Sequence, residues 1–223
     1  MKYFLLILTL VFTSCSLTNN IEIAEGNSVN IDFKSNEYFS SVLSDIASFT
    51  NNINVENSIL NIYYNIYSAK NTSSSSIVKT GVSSYFINFT TPSLNILFDE
   101  ITNSNQTIIK QTDNETIFKL NINNYSELEK IIPELKDPNL EVYLAPYNIG
   151  YTQEDYLNLL AFSFTDEIKN EVLNSKIIIN GKTDKPIKSI TGGEKLSSNT
   201  FSITIPLIKF LLLDEEIYFK LTY

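Results

Sequence analysis

The residue whose type and position most directly imply chemistry is Cys15, the one cysteine of the chain. It follows Met1-Lys2-Tyr3, an apolar run from Phe4 to Phe12, and the small residues Thr13 and Ser14. A basic start, a short apolar stretch and small residues before a cut site describe a secretory signal. A membrane span needs roughly 20 apolar residues, and this run is about half as long. A lipobox places an aliphatic residue and two small ones before the cysteine; Phe12 departs from that strict pattern, while Thr13 and Ser14 fit it. The expected modification is a diacylglyceryl group on Cys15, usually joined by an N-acyl chain. The competing reading is a buried thiol at the end of an ordinary signal. Each buried CH₂ contributes about 0.8 kcal/mol, so two or more acyl chains hold stably where one holds marginally.

The other chemically expressive residue types are mostly missing. The chain has no His and no Arg. A Ser-His-Asp or Cys-His arrangement needs a base with a pKa near neutrality, and zinc and copper sites favour imidazole and thiolate. No cofactor or metal is therefore expected. Gly181-Lys182-Thr183 has the ending of a phosphate-binding loop, but Lys176 stands where its first glycine is required. Carboxylate pairs remain at Glu154-Asp155, Asp166-Glu167 and Asp214-Glu215-Glu216. Acid/base hydrolysis by such a pair depends on separation across a cleft. Acidic residues at helix starts and turns are the ordinary alternative.

A binding surface is the more promising chemistry. Segment 138–168 lacks Lys, carries Glu141, Glu154, Asp155, Asp166 and Glu167, and holds Tyr143, Tyr147, Tyr151 and Tyr156 around Pro146 and Gly150. Tyrosines on an irregular segment offer flat apolar faces with a polar handle, suited to a lipid headgroup, a sugar or a protein. The plainer reading packs them onto the core. The stretch Asn71 to Phe98, ionised only at Lys79, could line an apolar cavity or supply central strands. Lys182, Lys185, Lys188 and Lys195 form a modest basic group that could touch anionic headgroups.

The elements that must position these residues follow from periodicity. Ile21 and Ile23, then Glu25-Gly26-Asn27-Ser28, then Val29, Ile31 and Phe33 predict a hairpin. Ser35-Asn36 predicts the cap of a helix carrying Tyr38, Val42, Leu43, Ile46 and Phe49. Ile59 to Ala69 fits helix or strand and is read as helix. Asn71 to Ser76 reads as a loop, and Ile77–Lys79 and Val82–Phe89 as strands. Ser93–Thr102 reads as a helix, and Thr107–Lys110 with Thr116–Ile122 as a second hairpin. Asn124 with Glu127 predicts a capping box for a helix ended by Asp137-Pro138, and Thr152 with Asp155 predicts another. The helix after Thr152 is expected to bury Tyr156, Leu159, Leu160 and Phe164, with a short helix over Asp166–Leu173. Strands are expected at Ile177–Asn180, Ile187–Ile190, Phe201–Ile205 and Ile217–Tyr223. Blocks of strands and helices without regular alternation predict an α+β fold: one domain, a mostly antiparallel sheet with helices on one face, after a cleaved signal peptide. The expected parts are a signal at 1–14, a lipidated cysteine and tether at 15–20, and one domain at 21–223. That tether reaches roughly 18 Å.

The 223 residues carry a net charge of −9. Such a surface repels nucleic acid and anionic lipid alike, so nucleic acid is not an expected partner. With Cys15 acylated no disulfide forms, and the core alone must hold the fold.

The C-terminal half resembles small spirochaete-type bacterial lipoproteins. The resemblance rests on Asp155-Tyr156-Leu157-Asn158-Leu159-Leu160-Ala161-Phe162-Ser163-Phe164, the strand Ser175 to Asn180, Ile190-Thr191-Gly192-Gly193, and Phe201 to Leu211. The relaxed lipobox ending in Cys15 is similar to theirs as well. These proteins resemble in turn the LppM-type lipoprotein domain, an α+β domain for which lipid binding has been suggested. The resemblance implies fold class and location and brings no catalytic residues. The expected function is that of a non-enzymatic binding or accessory module of the cell envelope, anchored through Cys15 to the inner or outer membrane. Its ligand would be a lipid or an envelope protein. The alternatives are a surface lipoprotein that contacts host molecules and a carboxylate-dependent hydrolase.

Overall fold

A computed structural model of the chain describes residues 17–24, 28–34, 55–81, 84–136 and 138–223, with side chains from residue 60 onward except 134 and 139. Cys15, the signal and the helix expected after Ser35 lie outside the described residues. The elements run β1 (Leu17–Ala24), β2 (Ser28–Lys34), α1 (Val55–Ser68), β3 (Ser73–Gly81), β4 (Ser84–Thr90), α2 (Leu94–Thr102), β5 (Ile109–Gln111) and β6 (Glu115–Leu120). They continue with α3 (Tyr125–Ile131), α4 (Pro138–Glu141), α5 (Gln153–Ser163), α6 (Glu167–Asn174), β7 (Lys176–Lys182), β8 (Ser189–Thr191), β9 (Glu194–Lys195), β10 (Thr200–Pro206), α7 (Leu207–Leu212) and β11 (Ile217–Thr222).

The fold is α+β, as the pattern predicts. A larger sheet has the order β3-β4-β2-β1-β7-β10-β9 and a smaller one β5-β6-β11-β8. Among the described strands every pairing is antiparallel except β1 with β7, which runs Leu17↔Ile177 to Glu22↔Lys182. Alternation sets which side chains enter the core. Tyr85, Ile87 and Phe89 of β4, Ile177 and Ile179 of β7, and Phe201, Ile203 and Ile205 of β10 are buried. In the smaller sheet Phe118 stacks on Phe219, with ring centroids 5.9 Å apart. Both sheets and the helices share one hydrophobic cluster.

Helix ends follow local chemistry. Ser93 caps α2 by accepting from the Asn95 N–H, and Asn103 ends it in the left-handed region at φ 51°. The start of α2 is tied to β5, since Gln111 N donates to Asn95 Oδ1 at 2.8 Å and Asn95 Nδ2 donates to Gln111 O at 2.9 Å. Thr152 and Asp155 form the predicted capping box of α5. Between β8 and β9 the chain passes from the smaller sheet to the larger one through Gly192 and Gly193. A Cβ on Gly192, at φ +78°, would lie 2.3 Å from the Tyr218 carbonyl oxygen, and one on Gly193 would lie 2.7 Å from that of Ser202. The crossing is too tight for any side chain.

Several expectations need correction. The strand β1 begins at Leu17, so most of the expected tether is sheet. The stretch Ser73–Ser76 is not loop but the start of the edge strand β3, which tolerates its serines through an irregular register and a positive φ at Ser74. Asn124 does not cap with Glu127. Its side chain turns back to the Asn121 N–H at 2.9 Å, within a short 3₁₀ turn that leads into α3. Glu127 instead accepts from the Thr107 N–H at 2.6 Å. That helix stops at Ile131 because Pro133 forces Ile132 out of helical geometry, well before Asp137-Pro138. The pattern missed α7. Leu207, Ile208, Phe210, Leu212 and Leu213 are all buried there, so no polar face marks a helical period.

Candidate binding surface

The tyrosine-bearing connection between α3 and α5 is shaped by what it buries. Leu140, Leu144 and Ala145 are anchored in the core. Asn148 is buried with them, and its Nδ2 donates to Leu144 O at 2.9 Å and Val142 O at 3.3 Å. These bonds satisfy an otherwise costly buried amide. They also fold residues 142–148 into a tight arch, continued by Gly150 at φ +86°. With those residues inside, the others point outward. Ile149 is 70% exposed, Tyr147 57%, Val142 45% and Tyr151 43%.

The four tyrosines singled out in the sequence separate. Tyr147 and Tyr151 lie on this surface, and Tyr147 Oη donates to Glu141 Oε2 at 2.6 Å. That bond to a carboxylate raises the Tyr147 pKa above its ordinary value. Tyr143 is half-buried, its ring centroid 5.3 Å from that of Phe164. Tyr156 is not a surface residue. It is 0% exposed, and its hydroxyl donates to Tyr143 O at 2.7 Å, which holds the connection against α5. Val142 and Ile149 belong to the exposed group, and no sequence signal marked them, because an irregular segment has no period. Phe162 of α5 is exposed as well, and Tyr64 and Tyr67 form a separate exposed pair on α1.

Tyr125 sits near the same buried tyrosines, yet its hydroxyl has no hydrogen-bond partner among the described residues. The two phenols should therefore respond oppositely to removal. Tyr156→Phe is expected to cost about 1–2 kcal/mol, because it strands the Tyr143 carbonyl, while Tyr125→Phe should be neutral or stabilising by up to about 1 kcal/mol. Urea unfolding of the two variants checks the contrast.

The carboxylate pairs do not converge on one another's work. All lie exposed at the surface. Asp155 accepts from the Thr152 N–H at 3.0 Å and from its hydroxyl at 2.6 Å, which holds its pKa below the usual carboxylate range. A hydrogen bond from Thr165 lowers Glu167. Bonds from Asn121 and Lys119 lower Glu216, and Glu215 is bonded to Lys209 at 2.9 Å. A general acid needs a shift in the other direction. Among the described residues no group of three His, Cys, Asp or Glu could hold a metal ion.

The stretch from Asn71 to Phe98 gives β3 and β4; of its residues only Ile96 reaches an open cleft of about 450 Å³, which is lined otherwise by Lys70, Asp99, Glu100 and Asn103 among others. Its carboxylates are engaged, Glu100 by the Asn71 N–H at 3.2 Å and Asp99 by the Gln106 N–H at 2.9 Å. It is an open groove of mixed lining rather than an enclosed apolar cavity. In the lysine group, Lys185 Nζ donates to Asp113 O at 3.0 Å and Lys195 Nζ to Ile187 O.

No protein family matches the sequence, and no curated protein matches it. Among solved structures the chain is similar to the folded domain of LppM from Mycobacterium tuberculosis, determined by NMR, with a TM-score of 0.33 and 6% identity over 93% of this chain and 89% of that one. This is a loose likeness in shape, and the functional reading rests on the chain's own residues. It gives no support to a spirochaete-type assignment.

Proposed function

We propose that the chain is a lipid-anchored module of the bacterial cell envelope that works by binding rather than by catalysis. The connection around Tyr147, Ile149 and Tyr151 is its contact surface. One observation carries the reading: β1, a central strand of the larger sheet, starts at Leu17, two residues beyond Cys15. Acyl chains on Cys15 would then hold the sheet within about 7 Å of the modified residue. The domain would work beside the headgroups of the inner or outer membrane. A tether shorter than expected also weighs against wide-ranging contact with host molecules.

The binding reading is supported by four large apolar or aromatic side chains exposed on one short segment, a grouping that folded proteins tend to bury unless a partner covers it. The surface position of every pair, and the lowered pKa of Asp155, Glu167 and Glu216, weigh against the hydrolase. No helix among the described residues is long and apolar enough to cross a membrane, so attachment in this reading falls to Cys15.

The test is replacement of the sulfur. Wild-type protein expressed in a lipoprotein-processing bacterium should partition into the detergent phase on Triton X-114 separation, while Cys15→Ser should move to the aqueous phase with its fold intact by circular dichroism. Equal partition of the two would sink the anchor.

A further inference from the structure

The described topology fixes which side of the domain holds the start of β1, two residues beyond Cys15 in the chain. Because β1 and β7 are parallel with Leu17 opposite Ile177, the start of β7 lies at the same end of the sheet as the start of β1. Antiparallel β10 finishes there, with Pro206 opposite Lys176. The Leu207 N–H donates to Ser175 O at 2.9 Å, so α7 begins there too. The helix α6 ends one residue before β7, which brings Leu173 to this pole.

The exposed connection comes to the same place. Helices α5 and α6 are joined by three residues and pack on each other. Lys169 Nζ donates to Asn158 Oδ1 at 2.9 Å across the pair. Both helices also pack against α7, which begins at this pole. Ile149 and Tyr151 immediately precede α5, and the turn Ala145–Tyr147 packs against α7. Tyr147, Ile149, Tyr151 and Leu173, which is 41% exposed, are thereby assigned to the pole at which β1 begins. The lysine-rich turns lie at the other end of β7, about 20 Å away at 3.3 Å per residue.

We propose that this pole is a second, non-covalent membrane contact, in which Tyr147, Ile149, Tyr151 and Leu173 enter the headgroup layer of zwitterionic phospholipid. The proposal rests on anchoring through Cys15, which brings the pole to the bilayer. Tyrosine suits the boundary because its ring is apolar and its hydroxyl stays wet. Glu141, Glu154 and Asp155 flank the same segment, and segment 138–168 has no Lys, so a neutral headgroup layer fits it better than an anionic one. The contact orients the domain, with the basic turns facing away from the anchoring leaflet.

The chain contains no Trp, so one can be introduced as the only reporter. The experiment uses full-length acylated protein in dioleoylphosphatidylcholine vesicles carrying a fraction of brominated lipid. Ile149→Trp is compared with Ser198→Trp in the turn before β10 at the far pole. Emission from position 149 should fall roughly twofold, as for an interfacial side chain, while position 198 is unaffected. Flotation with the vesicles but equal, negligible quenching at both positions overturns the contact and leaves the anchor standing. Failure to float overturns both. If position 149 is shielded only after envelope proteins are added, the surface belongs to a protein partner and the lipid assignment is wrong.

Discussion

Raising the pH above about 10 is expected to unfold the domain cooperatively. Burial holds the phenols of Tyr125, Tyr156 and Tyr223 above their ordinary value of 10.0. All three are core residues, 2%, 0% and 7% exposed. In the unfolded chain they ionise at the ordinary value; in the folded one they stay neutral well beyond it. A folded pKa raised above the unfolded one gives stability that is full below pH 10 and is lost as pH climbs from there toward the folded value. Each phenol contributes about 1.4 kcal/mol per pH unit to that loss, so three together remove about 4 kcal/mol per unit. Domains of this kind are stable by only about 5–15 kcal/mol, so unfolding should be complete within a few units. Tyrosinate absorbance and far-UV circular dichroism, followed together through an alkaline titration, should show a late ionisation step that coincides with loss of structure. Complete ionisation ahead of any spectral loss would mean that the three hydroxyls are accessible in the native state.

The second large effect is expected at Gly181. In the core-facing row of the larger sheet it pairs with Phe201 on β10 and Ile21 on β1. Phe201 is fully buried, and a Cβ at position 181 would lie 2.2 Å from its Cζ and 2.3 Å from its Cε1. The ring covers the glycine, which compensates a residue that otherwise weakens a strand. Gly181→Val leaves the ring nowhere to sit without displacing its neighbours. The expected loss is about 3–5 kcal/mol, similar to that of Phe201→Ala, which removes the ring and leaves a cavity. Because the two positions share one volume, their effects should not add. Gly181→Ala combined with Phe201→Leu should be at least about 1 kcal/mol more stable than the sum of the single changes predicts. Urea midpoints at constant slope measure this. Simple additivity would show that the ring does not depend on the glycine.

Much of this architecture is legible from local pattern, and the failures have physical causes. Alternation picks out β4, β10 and β11, and Thr152 with Asp155 marks the start of α5, because in each case a residue's neighbours within a turn or a strand decide its environment. The parallel pairing of β1 with β7 joins residues about 160 positions apart in the chain, and no local pattern encodes it. That pairing is also what places the proposed membrane-facing pole, so the proposed orientation is not readable from sequence. The helix α7 was hidden by being buried on nearly every side. Of the four tyrosines at the candidate surface, only Tyr147 and Tyr151 stand in the open. Tyr156 belongs to the buried stripe of α5 with Leu160, and that helical spacing pointed inward from the start. Val142 and Ile149 are exposed because Asn148 pins the arch between them, a tertiary cause that no local pattern carries.

The proposed orientation, surface and function all depend on the proposed acylation of Cys15. Mass spectrometry of the N-terminal peptide of protein purified from membranes addresses this without intermediaries. The account predicts a peptide that begins at Cys15 and carries the added mass of a diacylglyceryl group, with or without a further acyl chain. A peptide that begins at Met1, or an unmodified Cys15, would contradict it.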